Sequence, residues 1–113
     1  MNITAESYGH AVILNLKGDL TEDSVRAFMQ VIDHHLGDEY VVDVILNMEL
    51  VPLVDSAGLE CLLDLQDRLA QKFGQVKLVA CDTNVRKILE ITRLTPSFEI
   101  LNDVAEAVKA IRV

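Results

Sequence analysis

Basic residues are scarce in this chain. Only 10 Lys and Arg stand against 18 Asp and Glu, giving a formal net charge of −8 at pH 7 over 113 residues. A surface of that sign repels nucleic-acid phosphates and anionic lipid. No local Lys/Arg cluster offsets it, so direct nucleic-acid binding is not expected and a basic partner surface is favoured. Cysteine is almost absent. Cys61 and Cys81 each lie among apolar neighbours and are expected to be buried, reduced thiols rather than a disulfide or a metal pair.

Long hydrophobic runs are missing as well. No stretch reaches the roughly 20 apolar residues of a membrane span. The start, Met1-Asn2-Ile3-Thr4-Ala5-Glu6, has neither a basic opening nor an apolar run. No export signal is therefore expected, and the cytoplasm is the expected compartment. The chain also lacks a Gly-rich phosphate loop, a cluster at metal-ligand spacing, an internal repeat, a linker and any low-complexity tract. Neither a metal nor another cofactor is expected.

What is present is a folding sequence. Half of the residues are hydrophobic and a quarter are charged, which suits a single domain with one core spanning residues 1–113. Residues 3–8 and 11–16 read as two strands, and Gly9-His10 between them is a tight-turn signal for an antiparallel hairpin. Thr21 is the expected cap of a first helix, with Glu22 and Asp23 in its first turn. Val25, Phe28, Met29, Ile32 and Leu36 then recur at helical spacing, up to Gly37.

Residues 40–46 (YVVDVIL) are nearly all apolar and β-branched, as in a central parallel strand buried on both faces. Residues 59–73 read as a second helix closed by Gly74. Its polar stripe is Glu60, Asp64, Asp67, Arg68 and Gln71, with Asp64 and Arg68 spaced to pair. A strand over residues 76–80, a short helix from Asn84, a strand over residues 97–101 and a last helix capped by Asn102 or Asp103 complete the series. The order β-β-α-β-α-β-α-β-α predicts an α/β fold. Its sheet is mixed but mostly parallel, with four to five strands, an N-terminal antiparallel hairpin and about four helices.

Between the central strand and the second helix lies a small polar elbow, Asp55-Ser56-Ala57-Gly58. In open α/β sheets, sites gather beyond the carboxyl ends of the strands. The loops holding residues 17–21 and 81–84 should point to the same end. The plain reading of Ser56 is a helix cap, with Gly58 easing a close backbone approach. The functional reading is phosphorylation. A helix N-terminus offers N–H groups and a positive dipole end to a phosphate, and Asp55 and Glu60 would sharpen its repulsion of a docked partner. A nucleophilic serine is disfavoured: the context is not G-x-S-x-G, and no base is placed to activate it. His10 is expected at the hairpin turn, at the opposite end of the sheet. His34 and His35 are adjacent and cannot form an i,i+4 metal pair.

Four motifs in order resemble the STAS domain, in its bacterial anti-sigma factor antagonist branch. Val54-Asp55-Ser56-Ala57-Gly58-Leu59 resembles the D-S-[ST]-G-L signature, and Leu16-Lys17-Gly18-Asp19-Leu20 the L-x-G-x-L loop. Residues 85–94 resemble V-x-R-x-L-x-x-x-G-L, and Phe98-Glu99-Ile100 with Val104-Ala105-Glu106-Ala107 resembles the family's ending. The resemblance implies a STAS fold over the whole chain and a regulatory role rather than an enzymatic one. The unphosphorylated antagonist would bind an anti-sigma factor that is also a serine kinase, freeing the sigma factor. Phosphorylation at Ser56 would release it, and a metal-dependent protein serine phosphatase would restore it.

The chain departs from the family pattern in four places. Ala57 stands where Ser or Thr is common, which leaves Ser56 the only acceptor in the elbow. Glu60 and Arg93 stand where Gly is usual, and Thr21 where Asp is common. The expected partner surface comprises Asp19, Thr21, Asp55, Ser56, Gly58, Glu60, Asp82, Thr83 and Asn84. The alternative is a STAS scaffold subunit of a lipid-transport or stress-sensing assembly, with Ser56 only a cap and no phosphorylation cycle.

Overall fold

A computed structural model describes residues 1–111. Five strands form one sheet in the order β1-β2-β3-β4-β5: Asn2–Tyr8, Ala11–Lys17, Asp43–Leu50, Val76–Val79 and Glu99–Leu101. β1 runs antiparallel to β2, and every later pairing is parallel. The hairpin closes at the pair Tyr8 and Ala11, with Gly9 at φ 56°. A glycine of positive φ at the first turn position matches the twist of the flanking strands.

The helices are α1 (Val25–Leu36), α2 (Ser56–Ala70), α3 (Thr83–Ile91) and α4 (Val104–Ala110), with a single 3-10 turn at Thr95–Ser97. Alternation along the strands sorts the core into two layers. Val12, Leu14, Leu16, Val44, Leu46, Met48, Val76 and Leu78 meet Phe28 and Ile32 of α1, Leu62, Leu65 and Leu69 of α2, and Val85 and Leu89 of α3. Ala11, Ile13, Ile45 and Val79 face the other way, against Ala107 of α4 and Ile111. β2 and β3 are thus covered on both faces, which is why their sequences are nearly continuous in apolar residues.

Several boundaries differ from the sequence expectation. α1 starts at Val25, not after Thr21. The buried Ser24 hydroxyl donates to the Asp19 carbonyl at 2.6 Å and accepts from the Thr21 N–H at 3.0 Å, winding residues 19–24 into a turn before the helix. β3 starts at Asp43 rather than residue 40. The Asp38 carboxylate accepts from the Tyr40 N–H at 2.9 Å, and the Asp38 carbonyl accepts from the Val41 N–H, so this segment is a turn with Tyr40 74% exposed. Arg68 does not pair along its own helix; it reaches Asp33 of α1 at 2.8 Å. α2 ends not with glycine in the left-handed region but with Phe73 there, at φ 62°. Gly74 is needed for a different reason: a Cβ on it would lie 1.6 Å from the Val42 carbonyl oxygen.

Candidate functional site

β2, β3 and β4 are parallel, so the segments that follow them leave from the same edge of the sheet. Two of these segments are knitted together. The Leu20 N–H donates to the Leu53 carbonyl at 2.9 Å, and the Asp55 N–H donates to the Leu20 carbonyl at 3.2 Å. One turn into α2, Gly58 lies against the same carbonyl; a Cβ there would sit 2.2 Å from the Leu20 oxygen. Gly58 is accordingly buried. It shapes the elbow from inside and offers no side chain to a partner, which corrects its place in the expected partner surface.

Asp55 is the cap of α2. Its Oδ1 accepts from the Gly58 N–H at 2.9 Å, and its Oδ2 accepts from the Glu22 N–H at 3.0 Å. These donors, Gly58 first and Glu22 second, hold its carboxyl below the ordinary carboxylate value. Ser56 is the first residue inside the helix and is exposed. The plain reading of Ser56 as the cap is therefore overturned: the neighbouring carboxylate does that work. The Gly58 and Glu22 N–H groups already face Asp55, so those two donors are taken, and a phosphate on Ser56 would stand beside a carboxylate.

Around Ser56 the surface combines acids with apolar side chains. Asp19, Glu22, Asp23 and Glu60 are exposed, and Thr21 is half-buried. Leu50 and Leu53 are 56% and 45% exposed, with Pro52 exposed between them, while Val51 and Val54 turn inward. Leu50, Pro52 and Leu53 lie outside the partner surface that the sequence predicts. The available signal was Pro52: it stops the strand inside an apolar run that one strand cannot bury.

Asp82, Thr83 and Asn84 leave from the same sheet edge after β4. Asp82 is occupied as the cap of α3, accepting from the Val85 N–H at 2.9 Å, while Thr83 and Asn84 are exposed. Among the described residues, no hydrogen bond ties this loop to the elbow as the loop around Leu20 is tied. His10 lies at the other end of the sheet, its Nδ1 3.1 Å from the Tyr40 carbonyl oxygen.

Among the described residues, no group of three or more His, Cys, Asp or Glu is placed to hold a metal ion. None of their helices is long and apolar enough to cross a membrane. Cys61 and Cys81 are free and buried, and burial is the main cause pushing both thiols up to about 11.

The fold is shared with solved proteins at low sequence identity. An anti-sigma factor antagonist from Mycobacterium paratuberculosis superposes with a TM-score of 0.86 at 20% identity, covering 99% of this chain and 94% of that one. The Bacillus cell fate determinant SpoIIAA, in its phosphorylated form, gives 0.76 at 22% identity, covering 98% and 100%. The murine Solute Carrier 26 family member A9 anion transporter gives 0.76 at 20% identity, covering 92% of this chain and 18% of the transporter. No curated protein matches the sequence. The family model that does match, over residues 2–107, is that of the STAS domain, and the chain belongs to the STAS domain family.

Proposed function

We propose that this protein is a phosphorylation-controlled anti-sigma factor antagonist acting through the Ser56 end of the sheet. In its unphosphorylated form it docks on an anti-sigma factor with serine kinase activity and thereby frees a sigma factor. Phosphorylation of Ser56 ends the docking, and a protein serine phosphatase resets the cycle. The reading places the protein in the bacterial cytoplasm. It makes the chain a substrate of catalysis rather than a catalyst.

The observation that carries this reading is the division of labour between Asp55 and Ser56. Asp55 caps α2 and holds the neighbouring loop, while Ser56 stands exposed beside it. A kinase can modify that hydroxyl without removing a bond the fold depends on. The phosphate would add nearly two negative charges to a rim already carrying Asp19, Glu22, Asp23 and Glu60. Exposed Leu50, Pro52 and Leu53 supply apolar contact for a partner, and a basic surface on that partner suits the acidic rim. Two solved proteins of this fold, SpoIIAA and the mycobacterial protein, are anti-sigma factor antagonists.

The test is intact-mass spectrometry of the protein purified from its own host, in growth and under several stresses, with peptide mapping of residues 47–68. A phosphate on Ser56 is the expected result. Its absence under every condition would favour a scaffold subunit that docks through the same end without a phosphorylation cycle.

A further inference from the structure

The sheet has one long free edge. β5 closes one side with only three residues, whereas β1 lines the other with seven. Six of those seven residues are exposed, and among the described residues β2 is the only strand β1 pairs with. Exposed edges are usually protected by Pro, Lys, a bulge or a short length. β1, Asn2-Ile3-Thr4-Ala5-Glu6-Ser7-Tyr8, contains no Pro and no Lys, and Glu6 is its sole charge. Its pairing with β2 runs through seven consecutive positions without a register shift.

The register fixes which backbone groups are free. Tyr8 and Ala11 flank a two-residue turn, so they exchange both N–H···O bonds, and the pattern alternates from there. Tyr8, Glu6, Thr4 and Asn2 direct their N–H and C=O groups to β2. Ser7, Ala5 and Ile3 direct theirs outward.

We infer that β1 is a self-complementary docking edge, and that its occupant is the β1 strand of a second copy of this chain, paired antiparallel about a two-fold axis at Ala5. In that register Ala5 meets Ala5, and Ile3 meets Ser7 twice. Each outward residue thus lies opposite another outward residue, and six N–H···O bonds form. Thr4 lies opposite Glu6 on both sides of the axis, so no two like charges stand directly across from each other. A heavily acidic chain is otherwise poorly suited to meet its own copy; β1 brings only one charge per copy, Glu6, to the contact. Because the strands run antiparallel, the two Ser56 elbows point away from each other and stay free. The contact is small, which predicts a weak, concentration-dependent dimer.

The experiment is sedimentation equilibrium over a rising concentration series, with amide hydrogen exchange read at Ile3, Ala5 and Ser7. The expected result is a mass rising toward the dimer, with exchange at those three amides slowing as concentration increases. Ala5→Pro removes an outward N–H and leaves the bonds to β2 in place. Ala5→Lys sets two ammonium groups against each other at the axis and keeps the backbone donor. Each should raise the dissociation constant by about tenfold or more, while Ser56→Asp leaves it unchanged. A monomer at all concentrations with unprotected Ile3, Ala5 and Ser7 amides overturns the inference. So does a dimer that survives both substitutions.

Discussion

The carboxylate of Asp55 joins Glu22, 33 residues earlier in the chain, to the first turn of α2. Its Oδ2 takes the Glu22 N–H at 3.0 Å while its Oδ1 takes the Gly58 N–H at 2.9 Å. One side chain thereby caps a helix and fixes the loop between β2 and α1 against it. Only the ionised form accepts at both oxygens without a proton in the way, and this is why the Asp55 carboxyl sits below its ordinary value of 3.8.

A pH dependence follows with a definite sign. For a carboxyl depressed in the folded state, the stability it contributes is complete above the unfolded value. That contribution is lost as pH falls through the lower, folded value. Thermal unfolding of the native protein and of Asp55→Asn, compared from about pH 6 down to about pH 3, should show a wild-type advantage that shrinks in the acid range. An advantage that stays constant across the range would show that the charge of Asp55 does not hold the elbow.

Gly58 is the second fixed point of the elbow. Its substitution by Ala places a Cβ 2.2 Å from a backbone oxygen, that of Leu20, and neither helix nor loop can rotate this contact away. The expected loss is about 2–3 kcal/mol, read from the urea midpoint. A loss under about 0.5 kcal/mol, the usual range for unconstrained surface sites, would mean that the loop yields freely.

Much of this architecture was legible because it depends on local pattern. The apolar run of residues 40–46 announced a strand covered on both faces, and the Gly9-His10 turn announced the hairpin. The elbow was legible as a place but not as a mechanism. Asp55 and Ser56 are adjacent and both are good cap residues. Which one caps is decided by the path of residues 19–22, which local pattern does not reveal. The outward turn of Leu50 and Leu53 was hidden for the same reason, since burial there depends on how the loop folds over β3. The start of β3 is hidden because the β-like residues 40–42 precede the strand, in a segment that Asp38 winds into a turn.

Two helix ends were also illegible, and they yield a prediction. Phe73 and Arg93 both adopt left-handed backbone, at φ 62° and 60°. Each is followed by an N–H that closes the helix: Gly74 onto the Leu69 carbonyl and Leu94 onto the Leu89 carbonyl, both at 2.8 Å. Glycine is the usual residue at such positions because a Cβ is strained there. Arg93 is exposed, so Arg93→Gly removes strain and little contact. A gain of about 0.5–1 kcal/mol is expected, measured as a higher unfolding midpoint. A decrease would show that the Arg93 side chain supplies stabilising contacts greater than the strain.

Cys61 and Cys81 should be chemically silent in the folded protein. Their thiols are buried and pushed up to about 11, so almost no thiolate exists near neutral pH. A thiol reagent should titrate neither cysteine in the native state and both after denaturation. Fast reaction of one native thiol would reveal an opening of the layer between the sheet and α2 or α3.

The separation of roles at the elbow makes its strongest prediction at Ser56 itself. Ser56→Ala should leave stability within about 0.5 kcal/mol of the native protein, because the cap is Asp55 and the hydroxyl is exposed. Ser56→Asp should stay within about 1 kcal/mol, since an acid in the first turn gains from the helix dipole and loses to the neighbouring Asp55. Yet the two variants should differ sharply in docking to the proposed anti-sigma factor partner, with Ser56→Ala bound and Ser56→Asp released. Urea denaturation and a binding titration on the same samples separate the effects. If Ser56→Ala lost more than about 1 kcal/mol, a typical cost of removing a helix cap, the hydroxyl would be holding the elbow. Phosphorylation would then act by loosening the fold rather than by charging a rigid surface.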